Sequence, residues 1–303
     1  MPVDSWRPDG WRLLLVGVPA LALVVLFVAP TLIMALATLQ LPDDLGGLTP
    51  AVVRDEVGLH LALTLENYQR VLGDFVYLQV FLRSLGYALV VTGACALLAY
   101  PVALTIAAAP AKWRDLLLLL VVLPFWSNFL VRIYAWVLLL GPEGAVARLV
   151  NWTLAFTGAG PVILMYTPAA VLLGLVYVHL PFMILPLYAN LRRHDPAWLD
   201  AARDLGARPL SGFFNVTLPM SLPGLVAGAV LVFIPALGAF AVPDILGGAK
   251  GSMIGNLISD QFLAARDWPF GSTLALLLTL AVAGLAGLGA AAAARLPGNR
   301  HDA

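Results

Sequence analysis

Residues 84–111 read SLGYALVVTGACALLAYPVALTIAAAPA, a run without one charged side chain. A helix crossing a hydrocarbon layer ~30 Å thick needs ~20 apolar residues. Only a helix or a closed barrel satisfies its own backbone in lipid. Working outward, comparable runs lie at about 13–40, 116–140 (interrupted by Arg132 alone), 162–191, 219–243 and 268–294. The uncharged stretch 149–191 is too long for one helix. Its first part, with Asn151, Gly158, Gly160 and Pro161, predicts an outer loop. Arg7 and Arg12 precede the first run, which is longer than the ~7–15-residue core of a cleavable signal and therefore reads as a retained span. The pattern predicts an all-α polytopic membrane protein, with six transmembrane helices in a single domain over residues 1–303.

Composition agrees. Hydrophobic residues make up 61% of the chain and charged residues 11%, where a soluble domain carries ~25% charged. The solvent must be mostly lipid. Net charge is zero, so there is no basic footprint for nucleic acid. Cys95 is the only cysteine, which excludes an internal disulfide and any CxxC pair, and the four histidines show no zinc spacing. No GxxxxGK[ST] loop occurs, so any ATP must be used by a partner, and no cofactor is expected on this chain. A membrane enzyme would need an intramembrane Ser–His pair, an HExxH or paired Asp residues, and none is present. A self-sufficient secondary transporter would need an ion relay, for which His179 and Asp244 are a thin basis.

Lys and Arg placement gives the orientation. Arg7, Arg12, Lys112, Arg114, Arg192, Arg193, Arg203, Arg208, Arg295 and Arg300 fall on one side, mostly on short segments. The other side has Arg54, Arg70, Arg83, Arg148, Lys250 and Arg266 on longer loops. The first group is expected in the cytoplasm with both termini, and 42–74 outside, as a loop with short helices. Pro30, Pro101, Pro124, Pro168, Pro181, Pro186 and Pro235 fall inside the spans, either bending helices around a gated path or as ordinary kinks.

One cytoplasmic segment is more than a connector: residues 194–219, HDPAWLDAARDLGARPLSGFFNVTLP. Asp195 is an N-cap and Pro196 suits the first helical turn. Gly206 is the expected stop of a helix over 197–205. A second short helix near Pro209 is expected to present Leu210, Phe213 and Phe214. Asp200-Ala201-Ala202, Gly206 and Leu218-Pro219 resemble the EAA loop of binding-protein-dependent ABC importer permeases, with Asp200 where that family carries Glu. The resemblance implies a type I importer-like fold. It also implies an arm, 195–217, that docks on the ABC ATPase dimer and couples ATP hydrolysis to transport. Ala201 and Ala202 would allow close approach, and Gly206 the reversal.

Further blocks narrow the family. LPFWSNFLVRIYAW (123–136), LPFMILPLY (180–188), PDILGGAK (243–250) and RDWPFG (266–271) are similar to spermidine/putrescine permeases of the B type. That resemblance implies a bacterial inner-membrane subunit for polyamine import. Its partners would be a C-type permease, the ATPase dimer, a periplasmic or surface binding protein, and lipid. An opine, an aminophosphonate or an oxyanion is the alternative cargo within the same class. Carboxylates and aromatic faces hold ammonium groups, so the candidate path residues are Trp126, Asn128, Tyr134, Trp136, Tyr177, Tyr188 and Asp244. Trp and Tyr also anchor at lipid interfaces, and Asp244 is equally read as a helix-end carboxylate in water or a partner of Arg132. Arg132 itself is expected to be structural, paired with a carboxylate or backbone carbonyls. Gly247-Gly248 predicts a tight turn, and Asp267 the N-cap of the sixth span.

Overall fold

The computed structural model describes residues 10–43, 46–50, 52–55, 58–61, 63–158 and 160–294. In chain order the elements are α1 (Gly10–Ala37), a hairpin of β1 (Val52–Asp55) and β2 (Gly58–Leu61), α2 (Glu66–Gly73) and α3 (Phe75–Ala108). There follow α4 (Ala111–Val122), a 3-10 turn (Leu123–Trp126), α5 (Phe129–Leu140), α6 (Ala145–Ala155) and α7 (Pro168–Leu191). After them come α8 (Pro196–Asp204), α9 (Pro209–Gly212), a π turn (Phe213–Thr217) and α10 (Leu218–Leu237). The chain closes with a π turn (Pro243–Gly247), a 3-10 turn (Gly248–Gly251), α11 (Ile254–Leu263) and α12 (Trp268–Ala294). Six stretches are helical, long and apolar enough to cross a membrane: Leu15–Ala37, Phe75–Ala108, Phe129–Ala155, Pro168–Leu191, Pro209–Leu237 and Trp268–Gly287. Among the described residues the architecture is helical apart from the β1–β2 hairpin, with six helices of membrane-spanning length.

Several expected boundaries move, each for a local reason. The second helix begins at Phe75, because exposed Arg83 on its first turns does not interrupt it. The third expected span, 116–140, is broken. Ser127 is extended, and the Asn128 side chain accepts a hydrogen bond from Leu130 N at 2.8 Å, so Asn128 caps a new helix. Counting apolar residues is blind to such a cap. Within the expected outer loop, 145–155 is helical and Thr167 caps α7 through Ala170 N. The fifth helix stops at Leu237 with Gly238 as its C-cap, short of residue 243. In the 42–74 loop, α2 is a short helix as expected, but 52–61 forms an antiparallel pair with Val52 opposite Leu61 and Asp55 opposite Gly58.

The chain separates into two compact units, Met1–Phe75 with Ile258–Ala283, and Val76–Leu257 with Gly284–Ala303. In the first, Asn67 donates from its amide to the carbonyls of Thr38 and Gln40, at 2.9 and 2.8 Å, tying α2 to the end of α1. Asp267 caps α12 through Phe270 N at 3.1 Å, as expected, and also pairs with Arg70 at 2.8 Å.

The second unit is organised on α7, whose principal partner is α10. Ser221, Gly224, Gly228 and Val232 form the buried stripe of α10. A β-carbon on Gly224 would lie 2.4 Å from Asn190 Cβ, and one on Gly228 would lie 2.7 Å from Met183 Sδ. The two backbones therefore approach as closely as small residues permit, the means by which lipid-embedded helices gain packing. At one end of this seam, Tyr100 and Ala103 of α3 and Leu187 and Leu191 of α7 make a buried cluster. Tyr100 also hydrogen-bonds Ser221.

Candidate functional site

The arm is built as its sequence implies. Asp195 Oδ1 accepts from Ala197 N at 2.9 Å, and Pro196 opens α8, where its missing N–H is not needed. The stop at Gly206 is a complete Schellman closure. Gly206 N donates to Arg203 O at 2.8 Å and Ala207 N donates to Ala202 O at 3.0 Å, with Gly206 at φ +85°. α9 folds back so closely that a β-carbon on Gly212 would lie 3.0 Å from Leu199 Cδ1. Asp200 and Ala201 are exposed, and Ala202 is half-buried. Asp200 pairs with Arg203 at 2.9 Å on the open surface, leaving it reachable by another molecule. Leu205 and Leu210 protrude, 90% and 73% exposed.

One expectation for the arm is corrected. Phe214 is presented, but Phe213 turns inward, edge-on to Tyr100 with ring centroids 5.2 Å apart, and packs on the Leu187 and Leu191 cluster. The π turn places successive residues differently from a regular helix. With His194 Nε2 3.2 Å from Met220 O, Phe213 fastens the arm to the end of the α7–α10 seam that carries the Tyr100 cluster. Leu218 and Pro219, the end of the motif, are the first residues of α10, so the arm runs straight into the fifth membrane helix.

The expected path residues do not converge. Trp136 and Tyr177 meet edge to face, 5.5 Å apart, between α5 and α7. Trp126 and Tyr134 are exposed at 76% and 57%. Asn128 is engaged as the α5 cap. Tyr188 packs on the Tyr100 and Leu187 cluster at the root of the arm, far along α7 from Tyr177. Asp244 lies on the exposed side of the Pro243–Gly247 turn, and its carboxylate has no partner among the described residues. The following reversal uses Gly248 at φ +53°, as expected of the glycine pair, while Gly247 packs on Val171, where a β-carbon would approach to 2.5 Å.

Arg132 is the second correction. Among the described residues, its side chain pairs with no carboxylate or carbonyl. Its guanidinium lies over the rings of Phe125 and Phe129, at 5.4 and 5.9 Å, and its buried Nε has no hydrogen-bond partner. Phe125 in turn packs edge-on to Phe182 of α7 at 5.2 Å, and Phe182 neighbours the buried His179. Sequence reading missed these phenylalanines because it weighed Trp and Tyr alone. The signal was present in LPFW and LPFM, where a Phe follows a Pro in both helices.

The chain is 44% identical over 233 residues to the spermidine/putrescine transport system permease protein PotB of Escherichia coli K12, covering 77% of this chain and 84% of the relative. Among solved structures it is similar to a bacterial ABC transporter involved in the import of the acidic polysaccharide alginate, with TM-score 0.68 at 16% identity over 95% of this chain and 96% of the other. A bacterial alginate ABC transporter in complex with an alginate pentasaccharide-bound periplasmic protein matches with TM-score 0.66 at 17% identity, covering 92% of each chain. At such identity these structures speak for the fold alone. The model of the binding-protein-dependent transport system inner membrane component matches residues 11–294, and the chain belongs to that family.

Proposed function

We propose that this chain is the permease half of a polyamine importer, passing putrescine and spermidine inward while a separate ATPase supplies the energy. The observation that carries the cargo is the 44% identity to a spermidine/putrescine permease across most of both chains. Family membership makes the chain a transport component and a multi-pass inner-membrane protein rather than an enzyme. In this reading the whole chain acts as one transmembrane domain with both termini in the cytoplasm, and ATP is bound by the partner.

The arm supports the coupling role. Asp200, Ala201 and Ala202 lie on an open helix flanked by protruding Leu205 and Leu210, with Gly206 setting the reversal and Leu218-Pro219 joining the arm to α10. A rigid, apolar-tipped projection suits a groove on a cytoplasmic ATPase. Above it, Trp136, Tyr177 and the unpaired Asp244 are the groups chemically suited to an ammonium, through aromatic faces and a fixed negative charge. The further partners are a second permease and a substrate-binding protein on the outer side.

The test is uptake by the reconstituted complex. The chain, its second permease, its ATPase and its binding protein are assembled in vesicles with internal ATP and given radiolabelled putrescine, spermidine or molybdate. ATP-dependent accumulation of a polyamine is expected. Accumulation of another solute and of neither polyamine overturns the cargo and leaves the importer reading intact.

A further inference from the structure

We infer that Arg132 is met, in the assembled transporter, by a carboxylate that a different permease chain inserts at mid-membrane depth. The inference rests on the reading of this chain as one half of a permease pair. Three observations lead to it. First, the guanidinium sits deep. It stacks on Phe125, whose ring packs on Phe182, close to the middle of the α7 helix, Pro168–Leu191. Second, the charge is unbalanced. Nε is buried without a partner among the described residues, and Arg132 stands in the first turn of α5, where the helix dipole presents positive charge of its own. The phenylalanine faces soften a cation but do not neutralise it.

Third, no acid among the described residues answers it. Of the chain's 17 acidic residues, only Glu143 falls inside any of the six membrane stretches, in the turn between α5 and α6, where it pairs with Arg148 at 3.1 Å. Asp244 is at a different level. Its turn packs on Gly174 and Val171 of α7, and eight residues of helix from Phe182 to Gly174 is about 12 Å.

Ionisable groups at membrane depth face a protein interior or water and pair with one another. A second copy of this chain cannot supply the partner, because the one acid in its membrane stretches, Glu143, lies in the turn between α5 and α6 and pairs with Arg148. The complementary chain must therefore be a different one, carrying Asp or Glu at the level of Phe182. Trp126 and Tyr134, exposed on the same segment, would then line the contact instead of facing lipid. This assigns Arg132 to the joint between the two permeases, where it also keeps an unpaired positive charge off the route of a cationic cargo.

The experiment is a charge swap in the four-component complex. This chain carries the purification tag, and each Asp and Glu in the membrane helices of the second permease is changed in turn to Arg. Arg132→Glu alone is expected to lower uptake and recovery of the second permease roughly tenfold or more, the scale of breaking one side of a desolvated pair. One swapped acid should restore both. If no second permease is recovered with the wild-type chain, the permease-pair reading fails first, and the inference with it. If Arg132→Glu reaches the membrane in wild-type amount and no swap restores it, Arg132 has no acidic partner and the inference is wrong.

Should Arg132→Glu fail to insert, Arg132→Gln is combined with Asp→Asn and Glu→Gln changes in the second permease. One combination should lose no more than its worse single change, whereas additive losses in every combination overturn the pairing. Full uptake and recovery with Arg132→Gln also overturn it. So does a wild-type complex that imports an anionic solute, if Arg132→Gln abolishes that uptake without loosening the pair. The guanidinium would then serve the cargo.

Discussion

Replacing Gly224 by Ala adds one methyl group to the seam between α7 and α10, and the structure sets the cost. The new β-carbon would lie 2.4 Å from Asn190 Cβ and 3.0 Å from both Asn190 Cγ and Pro186 O. Carbon atoms rest at about 3.5–4.0 Å, so the helices must part by roughly an ångström there. The obstacle cannot rotate away, because a β-carbon and a carbonyl oxygen are fixed to the backbone. Overpacking of this kind costs about 1–3 kcal/mol, and the rigid contacts place Gly224→Ala toward the upper end. Gly228→Ala should cost less, since its nearest neighbour at 2.7 Å is the flexible Met183 thioether. Gly93→Ala, with nothing within 4 Å, is the control. Thermal unfolding of the purified complex measures all three. Changing Asn190→Gly removes the offending β-carbon, so the double variant should recover at least ~1 kcal/mol relative to the sum of the single changes, a coupling of the size found for residues in contact. Gly224→Ala melting like wild type, or strict additivity with Asn190→Gly, refutes the close-approach argument.

The arm gives two further outcomes. Gly206→Leu meets no neighbour within 4 Å, so its cost is the left-handed backbone alone, about 1–2 kcal/mol. It should leave the chain in the membrane while lowering uptake per ATP hydrolysed; unchanged coupling removes Gly206 from the mechanism. Asp200→Lys breaks an exposed pair with Arg203 worth only ~0–1 kcal/mol, so loss of ATPase in a pull-down at normal chain abundance would reflect docking, and undiminished recovery would exclude Asp200 from the contact. For topology, Leu210→Cys and Leu72→Cys place thiols at sites 73% and 87% exposed, while the native Cys95 is buried. Leu72→Cys should react from outside intact cells and Leu210→Cys should not; the reverse inverts the orientation. Asp244→Asn should cut polyamine uptake with assembly unaffected, and uptake equal to wild type removes Asp244 from the path.

What the sequence disclosed, and what it withheld, divides along the range of the interactions. The arm was legible because its determinants are local. Asp195 caps two residues on, Pro196 fixes the first turn, and Gly206 closes a Schellman motif spanning six residues. The sixth helix, 268–294, was legible for the same reason, through the Asp267 cap. The break in the third span was hidden because Asn128 scores as one polar residue in an apolar run, although its side chain starts a new helix. The inward turn of Phe213 depends on Tyr100, more than a hundred residues earlier, and no local pattern separates it from Phe214. The path suffered most. Aromatic identity says that a side chain suits either an ammonium or a lipid interface, and only packing distinguishes Trp136 on Tyr177 from the exposed Trp126.

The glycine seam and the arm are one construction. Asn190, which crowds Gly224, lies next to Leu191 of the cluster that receives Phe213, and Ser221, one turn before Gly224, hydrogen-bonds the same Tyr100 on which Phe213 packs. A side-chain-rich interface could absorb a push at Phe213 by rotamer changes, since each long side chain has several wells. Glycine against backbone has no such freedom. A displacement of the arm root must therefore move α7 and α10 together or separate them outright. The small residues at 224 and 228 thus make the seam stiff where Phe213 and His194 fasten the arm to it. Under the proposed function, that stiffness is what allows a movement imposed on Asp200 and Leu205 to reach the helices that bear Tyr177 and lead to Asp244.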